Sequence, residues 1–151
     1  MREHLYKAKR VDWVELPKEE WWVEGNLLIS DEDYYIIPDF GVSCVEVMNN
    51  HTCDKLITLH AFEVDRETVC EYTGLTDKNG RRFEGDVFQA SDGDYIQRYI
   101  IAWNEDSLEW SAECVGGIDG TLPLSEFRIE EIDVIGNVFD NPELLKGDDE
   151  E

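Results

Sequence analysis

Residues 72–87 read YTGLTDKNGRRFEGDV, and this stretch decides the predicted fold. Asn79-Gly80, set between charged residues, is the strongest short-range hairpin signal, because a type I′ turn needs positive φ at both central residues. Gly74 and Gly85 mark further turns that require unusual backbone angles. Two acids in the stretch can accept hydrogen bonds from nearby backbone amides and so fix these turns: Asp77 and Asp86. The stretch therefore predicts a hairpin followed by the entry to a new strand.

Short strand-like runs continue from this stretch towards the C-terminus. They are Val87–Ala90, Tyr95–Trp103, Leu108–Val115 and a run from Ile129 to Val138 that is broken by a turn or bulge at Gly136-Asn137. Single helical turns are predicted at residues 124–127 and at residues 142–146, where Asn141 would cap the helix and Pro142 would occupy its first turn. Close strand spacing and little helix predict a small antiparallel barrel.

The front half of the chain is also rich in strand-like runs. Trp21–Ile29 and Tyr34–Ile37 are separated by an acidic turn and predict a second hairpin, which ends at Pro38. Residues 40–66 are the least readable part and are interpreted as an insertion. The chain is thus predicted to be all-β, with a strand-rich segment at residues 1–66 and the barrel at residues 67–147. Residues 148–151 form an acidic tail.

Two segments of the chain resemble the YopX-like proteins of phages and prophages: Tyr72–Val87 and Ile132–Leu145. The resemblance implies an SH3-like barrel in the C-terminal half, and it implies no substrate, cofactor or catalytic residue. The residues that carry it are explained mainly by the backbone turns they form. They are Tyr72, Gly74, Leu75, Asp77, Asn79, Gly80, Glu84, Gly85, Asp86, Gly136, Asn137, Asn141 and Pro142.

The charge of the chain restricts its partners. Thirty-six acidic residues against thirteen Lys and Arg give a formal net charge of −23. Such a surface attracts basic partners and opposes direct contact with nucleic acid phosphates. The sequence contains no apolar run long enough for a membrane span, and residues 1–10 lack the apolar core of a signal peptide. We therefore expect a cytoplasmic location in a bacterial host cell.

Neither metal binding nor catalysis is predicted. Five potential ligands fall in one region, but without the paired spacing of zinc sites: Cys44, His51, Cys53, His60 and Cys70. The cysteines are expected to be free thiols in a reducing compartment. No phosphate-binding glycine loop or nucleophile motif is present in the sequence, so no cofactor, metal or catalytic residue is assigned.

Aromatic residues supply the candidate interaction surface. Most of the five Trp residues are expected to anchor the core, with Trp103, Trp110, Tyr95 and Tyr99 as candidates for contact with a partner. The leading prediction is a non-enzymatic phage or prophage accessory protein of unestablished activity that acts through an unknown protein partner or as a homo-oligomer.

Two alternative functions stay open. The first is a DNA mimic, in which acids would imitate a phosphate track and occupy the cationic groove of a host DNA-binding protein. These acids are Asp31, Glu32, Asp33, Glu105, Asp106, Glu109 and residues near Glu130. The second, weaker alternative is a nucleic-acid-binding small barrel, in which Tyr95, Tyr99 and Trp103 would stack on bases.

Overall fold

The computed structural model describes the backbone of residues 4–38, 42–49, 52–77, 80–92, 95–116 and 120–146, and the side chains of these residues except 42–49, 52–59, 77, 92 and 129. The predicted acidic tail, residues 148–151, lies outside this range. The chain divides into two compact units, Met1–Glu71 (unit 1) and Tyr72–Glu151 (unit 2). The boundary falls inside a strand, slightly later than the predicted boundary between residues 66 and 67.

The described residues confirm the prediction of a mainly β protein. Their strands are β1 (Tyr6–Lys9), β2 (Trp22–Ser30), β3 (Asp33–Ile37), β4 (Val42–Asn49), β5 (Thr52–Leu59), β6 (Phe62–Val64), β7 (Cys70–Asp77), β8 (Gly80–Phe83), β9 (Asp86–Asp92), β10 (Tyr95–Asn104), β11 (Glu109–Cys114), β12 (Thr121–Pro123) and β13 (Asp133–Asn137). The helical elements of the described residues are 3-10 turns: Trp13–Glu15, Lys18–Glu20, Arg66–Thr68, Leu124–Glu126, Ile129–Glu131 and Pro142–Leu145.

Unit 1 is built on an antiparallel sheet in the order β6-β3-β2-β1-β7. The predicted N-terminal hairpin is confirmed, because β2 pairs with β3 and Leu28 faces Tyr35. At its end, a Cβ atom added to Gly25 would lie 2.1 Å from the carbonyl oxygen of Ile37, so glycine permits the close approach of the strands. Residues 40–66 contribute β6 and a separate hairpin in which β4 pairs with β5.

A small core holds unit 1 together. It consists of buried Ala8, Ile36 and Val64, each from a different strand, with partly buried apolar side chains around them. Thr68 reinforces this core from the 3-10 turn Arg66–Thr68. Its hydroxyl accepts a hydrogen bond from the backbone amide of Lys9 at 2.8 Å and donates one to the carbonyl of Asp65 at 2.7 Å.

Unit 2 contains an antiparallel sheet in the order β12-β11-β10-β9-β13. The end of β7 pairs with β8, with Asp77 opposite Gly80, which confirms the predicted hairpin; Asn79 lies outside the described residues. The core is centred on the inner face of the sheet. It contains Phe88, Ala90, Tyr99, Ile101, Ala112, Leu124 and Ile132.

The predicted barrel is not confirmed. Among the described strands of unit 2, β12 and β13 form the two edges of the sheet and do not pair with each other, so the sheet is open. The meander β9-β10-β11-β12, followed by the return of β13 to β9, nevertheless brings five strands around one core.

The closing segment, from Ile129 to Leu145, differs from its prediction at two points. The predicted strand from Ile129 begins later, because Ile129–Glu131 forms a 3-10 turn that leads Ile132 into the core and β13 starts at Asp133. The expected irregularity is present as a register shift between Val134 and Gly136. The predicted helical turns at Leu124–Glu126 and Pro142–Leu145 are confirmed. Asn141, however, makes no side-chain capping hydrogen bond.

Candidate functional site

Among the residues that the structure describes, a cleft in unit 2 is the strongest candidate for a binding site. Its volume is about 420 Å³, and its walls come from β9, β10, β12 and the two 3-10 turns that follow β12. The apolar and aromatic lining consists of Ala90, Tyr99, Leu122 and Phe127, together with the hydroxyl-bearing Ser91. The rings of Tyr99 and Phe127 meet edge to face with their centroids 4.9 Å apart. This volume falls in the ordinary range of ligand clefts.

Two carboxylates complete the lining of this unit 2 cleft. Glu126 ends one 3-10 turn and Glu131 ends the next, and both side chains are exposed. Glu131 also accepts a hydrogen bond from the backbone amide of Arg128 at 3.4 Å, which holds the second turn in place. None of the described residues that line the cleft is Lys or Arg. The cleft therefore combines apolar and aromatic side chains with two carboxylates.

The four predicted interface residues occupy different environments. Tyr99 is 3% exposed and stacks on Phe88 within the core, with ring centroids 5.3 Å apart. Trp103 and Trp110 face each other across β10 and β11 as a half-buried edge-to-face pair. Tyr95, by contrast, is 72% exposed. Tyr95 is the predicted residue that projects into solvent, and Tyr99 contributes only as part of the cleft lining.

Tyr95 and the cleft lie on one side of the sheet. Side chains alternate between the faces of a strand, so Tyr95 shares a face with Tyr99, four positions along β10. Ile96 is 70% exposed on the opposite face. Exposed Tyr95 at the start of β10 thus adds an aromatic side chain on the cleft's side of the sheet.

Unit 1 contains a second cleft and a cation–aromatic cluster. Lys9 is 5% exposed, and its Nζ lies 4.1 Å from the ring centroid of Trp13 and 4.7 Å from that of Trp21. The neighbouring cleft of about 280 Å³ is lined by acids, by Trp13 and by Tyr34. Arg66 of the chain itself lies over the Tyr34 ring at 5.7 Å, so this cleft already carries a cation.

The first family motif forms a turn between β8 and β9. The backbone amide of Phe83 donates a hydrogen bond to Oδ2 of Asp86 at 2.9 Å. Gly85 has a φ of 86°. Its backbone amide donates a hydrogen bond to the carbonyl of Ile101, and its carbonyl accepts one from the backbone amide of Val138. This turn therefore ties together β8, β10 and the closing segment, which is a structural role.

Arg82, just before this turn, is 5% exposed. Burial lowers the pKa of its guanidinium from the ordinary value, while the nearby carboxylates of Asp86 and Asp133 act to raise it. Asp86 thus serves both the backbone turn and a buried cation. Arg82 stands next to Phe83 in a stretch predicted as a hairpin, and nothing in the sequence indicated that its side chain is buried.

The other residues of the first motif support the same hairpin. Tyr72 is buried against Phe83, and its hydroxyl forms a hydrogen bond with the Thr76 hydroxyl. Gly74 and Gly80 have positive φ, Leu75 packs against the core and Glu84 is half-buried. The side chain of Asp77 lies outside the described set.

The second motif folds into a hydrogen-bonded loop. Oδ1 of Asn137 accepts from the backbone amides of Phe139 at 3.0 Å and Asp140 at 2.9 Å. The amide of Asn137 donates to Oδ1 of Asn141 at 3.3 Å. A Cβ atom at Gly136 would lie 2.4 Å from the same Oδ1, and exposed Pro142 starts the final 3-10 turn. These motif residues shape the backbone.

Comparison with known protein families shows the family to which the chain belongs. The model of the YopX protein family matches residues 21–146, which include both motifs. The chain belongs to the YopX protein family. No curated protein matches the chain. Membership confirms the resemblance and suggests a phage-related protein, and it assigns no activity.

Of the five potential metal ligands noted in the sequence, the structure describes the side chains of Cys70 and His60. Cys70 is buried and donates to the carbonyl of Thr68 at 3.2 Å, and His60 is exposed. His51 and the side chains of Cys44 and Cys53 lie outside the described set. Within that set, no three His, Cys, Asp or Glu residues are grouped so as to hold a metal ion. Nor does any described helix have the length and apolarity needed to cross a membrane.

Proposed function

We propose that this YopX-family protein is a non-enzymatic, phage-related accessory protein that acts in the host cytoplasm by binding another protein. The observation that carries the proposal is the unit 2 cleft with exposed Tyr95 on the same side of the sheet. Tyrosine side chains that are exposed beside a cleft are typical of protein interfaces, where aromatic residues are enriched. The open edge of the sheet at β12 provides further contact surface.

The fold of unit 2 supports the proposal as a binding module. We retain the SH3-like assignment for this unit, supported by the five-stranded order β12-β11-β10-β9-β13 and by the 3-10 turns between β12 and β13. Polar groups of the family motifs are engaged in backbone turns, and none of the described motif residues lines the cleft.

Affinity capture from host lysate tests the proposal. The wild-type protein and a Tyr95→Ser variant are used as baits at equal concentration, and captured proteins are identified by mass spectrometry. We expect a protein that is enriched by the wild-type bait and depleted by the variant, because the variant removes an exposed aromatic contact and no core packing. Leu108→Ser, which alters a comparably exposed apolar residue in the turn between β10 and β11, is the control. Identical captures by wild type and Tyr95→Ser would contradict the proposal.

A DNA mimic is the second candidate, because the net charge is −23. Its proposed acids include exposed Asp31, Glu32 and Asp33 in unit 1 and exposed Glu105, Asp106 and Glu130 in unit 2; Glu109 is half-buried. Duplex DNA added to the capture separates the two functions. A DNA mimic would lose its partner to the duplex, whereas a partner held by the unit 2 cleft would remain bound.

Two further experiments test self-association and direct binding to nucleic acid. Sedimentation of the purified protein detects a homo-oligomer. If Tyr95→Ser abolishes that oligomer, the partner is a second copy of the chain. A gel shift with oligonucleotides at low salt tests the weaker nucleic-acid alternative, which the negative field of the protein opposes.

A further inference from the structure

We infer that the unit 2 cleft accepts an arginine side chain from a basic segment of the partner protein. This inference rests on the proposed function and names the chemistry of the partner. The lining combines three features: the half-buried ring of Phe127, which packs on buried Tyr99, the apolar Leu122, and the two carboxylates Glu126 and Glu131. A ligand that satisfies all three must carry an apolar stem and a cationic head.

Arginine fits this combination better than the other side chains. Its methylene stem packs along apolar surface while its charged head stays at the solvent boundary. Its planar guanidinium stacks on aromatic rings and donates paired hydrogen bonds to carboxylates, which the compact ammonium of lysine does less well. Arginine is also enriched among the residues that dominate binding energy at interfaces. An anionic group would be repelled by Glu126 and Glu131, and a neutral apolar one would leave both carboxylates without a counter-charge.

Negative charge attracts a basic partner both at long range, through the net charge of the protein, and locally, through the two carboxylates of the cleft. The net charge of −23 draws any basic segment towards the protein, but without choosing a site. Glu126 and Glu131 line a cleft that also presents the apolar side chains of Leu122 and Phe127, and its described lining has no Lys or Arg. By contrast, the unit 1 cleft contains Arg66, which lies over Tyr34. The unit 2 cleft therefore offers an incoming cation two carboxylates and the Phe127 ring, with no Lys or Arg among its described lining residues.

Amide-detected NMR titration of the full-length protein tests the inference. The probe is a short Gly/Ser peptide with three spaced arginines, and the matched peptide carries citrulline, which is neutral and nearly isosteric, at the same positions. A third peptide carries lysine. Titrations are run at about 0.15 M salt, where long-range attraction between exposed charges is largely screened. We expect the arginine peptide to shift the amides of Leu122 and Phe127, and to bind at least about fivefold more tightly than the citrulline peptide and more tightly than the lysine peptide.

Two variants with equal loss of charge distinguish the cleft from the general field. Glu126→Gln/Glu131→Gln removes both carboxylates of the cleft and keeps a side-chain oxygen to accept the Arg128 amide. Glu105→Gln/Asp106→Asn removes two exposed carboxylates from the β10–β11 turn of the same unit. The first variant should weaken arginine-peptide binding at least about fivefold, and the second less than about twofold.

Equal weakening in the two variants would overturn the inference, because the attraction would then be diffuse. So would citrulline or lysine binding as tightly as arginine, or shifts that spare the cleft amides. The capture experiment fails separately from this one. If a partner is captured in a Tyr95-dependent way but the arginine peptide does not bind the cleft, the proposed protein-binding function stands. Only the proposed occupant of the cleft is then wrong. Arginine binding in the cleft without any captured partner would instead count against the function.

Discussion

Oδ2 of Asp86 accepts a hydrogen bond from the backbone amide of Phe83 at 2.9 Å, so a single carboxylate closes the turn between β8 and β9. Asp86 is 5% exposed and also lies near the buried guanidinium of Arg82. The acid of the FEGD sequence thus satisfies a backbone donor and offsets a buried positive charge. This double role explains why an acid is buried at this position of the family motif.

Replacement of Asp86 should destabilise the protein strongly. Asp86→Ala leaves the Phe83 amide unsatisfied and removes a counter-charge of Arg82, so we expect a loss of about 2–4 kcal/mol in the free energy of unfolding. Asp86→Asn keeps an acceptor but not the charge and should lose less. Urea denaturation followed by circular dichroism measures both, with exposed Asp106→Ala as the control. A loss below about 0.5 kcal/mol in Asp86→Ala, the range of ordinary surface changes, would contradict this role.

Gly136 and Asn141 should be energetically coupled. In Gly136→Ala the new Cβ atom would meet Oδ1 of Asn141 at 2.4 Å and Cδ1 of Leu144 at 3.0 Å. We expect a loss of about 1–3 kcal/mol from this overpacking. Asn141→Ala removes the nearer obstacle, so Gly136→Ala should cost less in that background. A double-mutant cycle by thermal unfolding measures the coupling. Strictly additive losses would show that the two side chains do not compete for this space.

Thr68 provides a test of unit 1. Thr68→Val keeps the shape of the side chain but leaves the buried backbone amide of Lys9 without its acceptor. The expected loss is about 1–3 kcal/mol. Thr121→Val, on an exposed position of β12, makes the same chemical change and should have little effect. Hydrogen exchange at the Lys9 amide should accelerate in Thr68→Val alone, and unchanged protection there would count against the assigned hydrogen bond.

The sequence predicted the hairpins well because their signals are local. Acidic and Asn-Gly turns flanked by β-rich runs specify which strands pair, as for β2 with β3 and β7 with β8. Burial was harder to predict, since it depends on what covers each position. Tyr95 and Tyr99 share one face of β10, yet Tyr99 lies under Phe127 and Tyr95 lies beyond the packed part of the sheet.

Tryptophan and charged residues show the same limit. The Trp residues were expected to anchor the core, but all five are half-buried, and the largest fully buried side chains include Phe83 and Phe88. Lys9 and Arg82 are buried although both belong to basic pairs or clusters in the sequence. The cleft could not be predicted because its lining comes from three strands and two turns that only the tertiary fold brings together.

Site-specific photo-crosslinking in host cells tests the central claim, binding of a protein partner at the unit 2 cleft, most directly. A benzophenone amino acid replaces Tyr95, and in a matched protein it replaces Leu108, which is 70% exposed in the turn between β10 and β11. We predict a discrete crosslinked protein adduct from position 95, reduced in Glu126→Gln/Glu131→Gln, and none from position 108. Equal adducts from both positions, or none from position 95, would contradict the account.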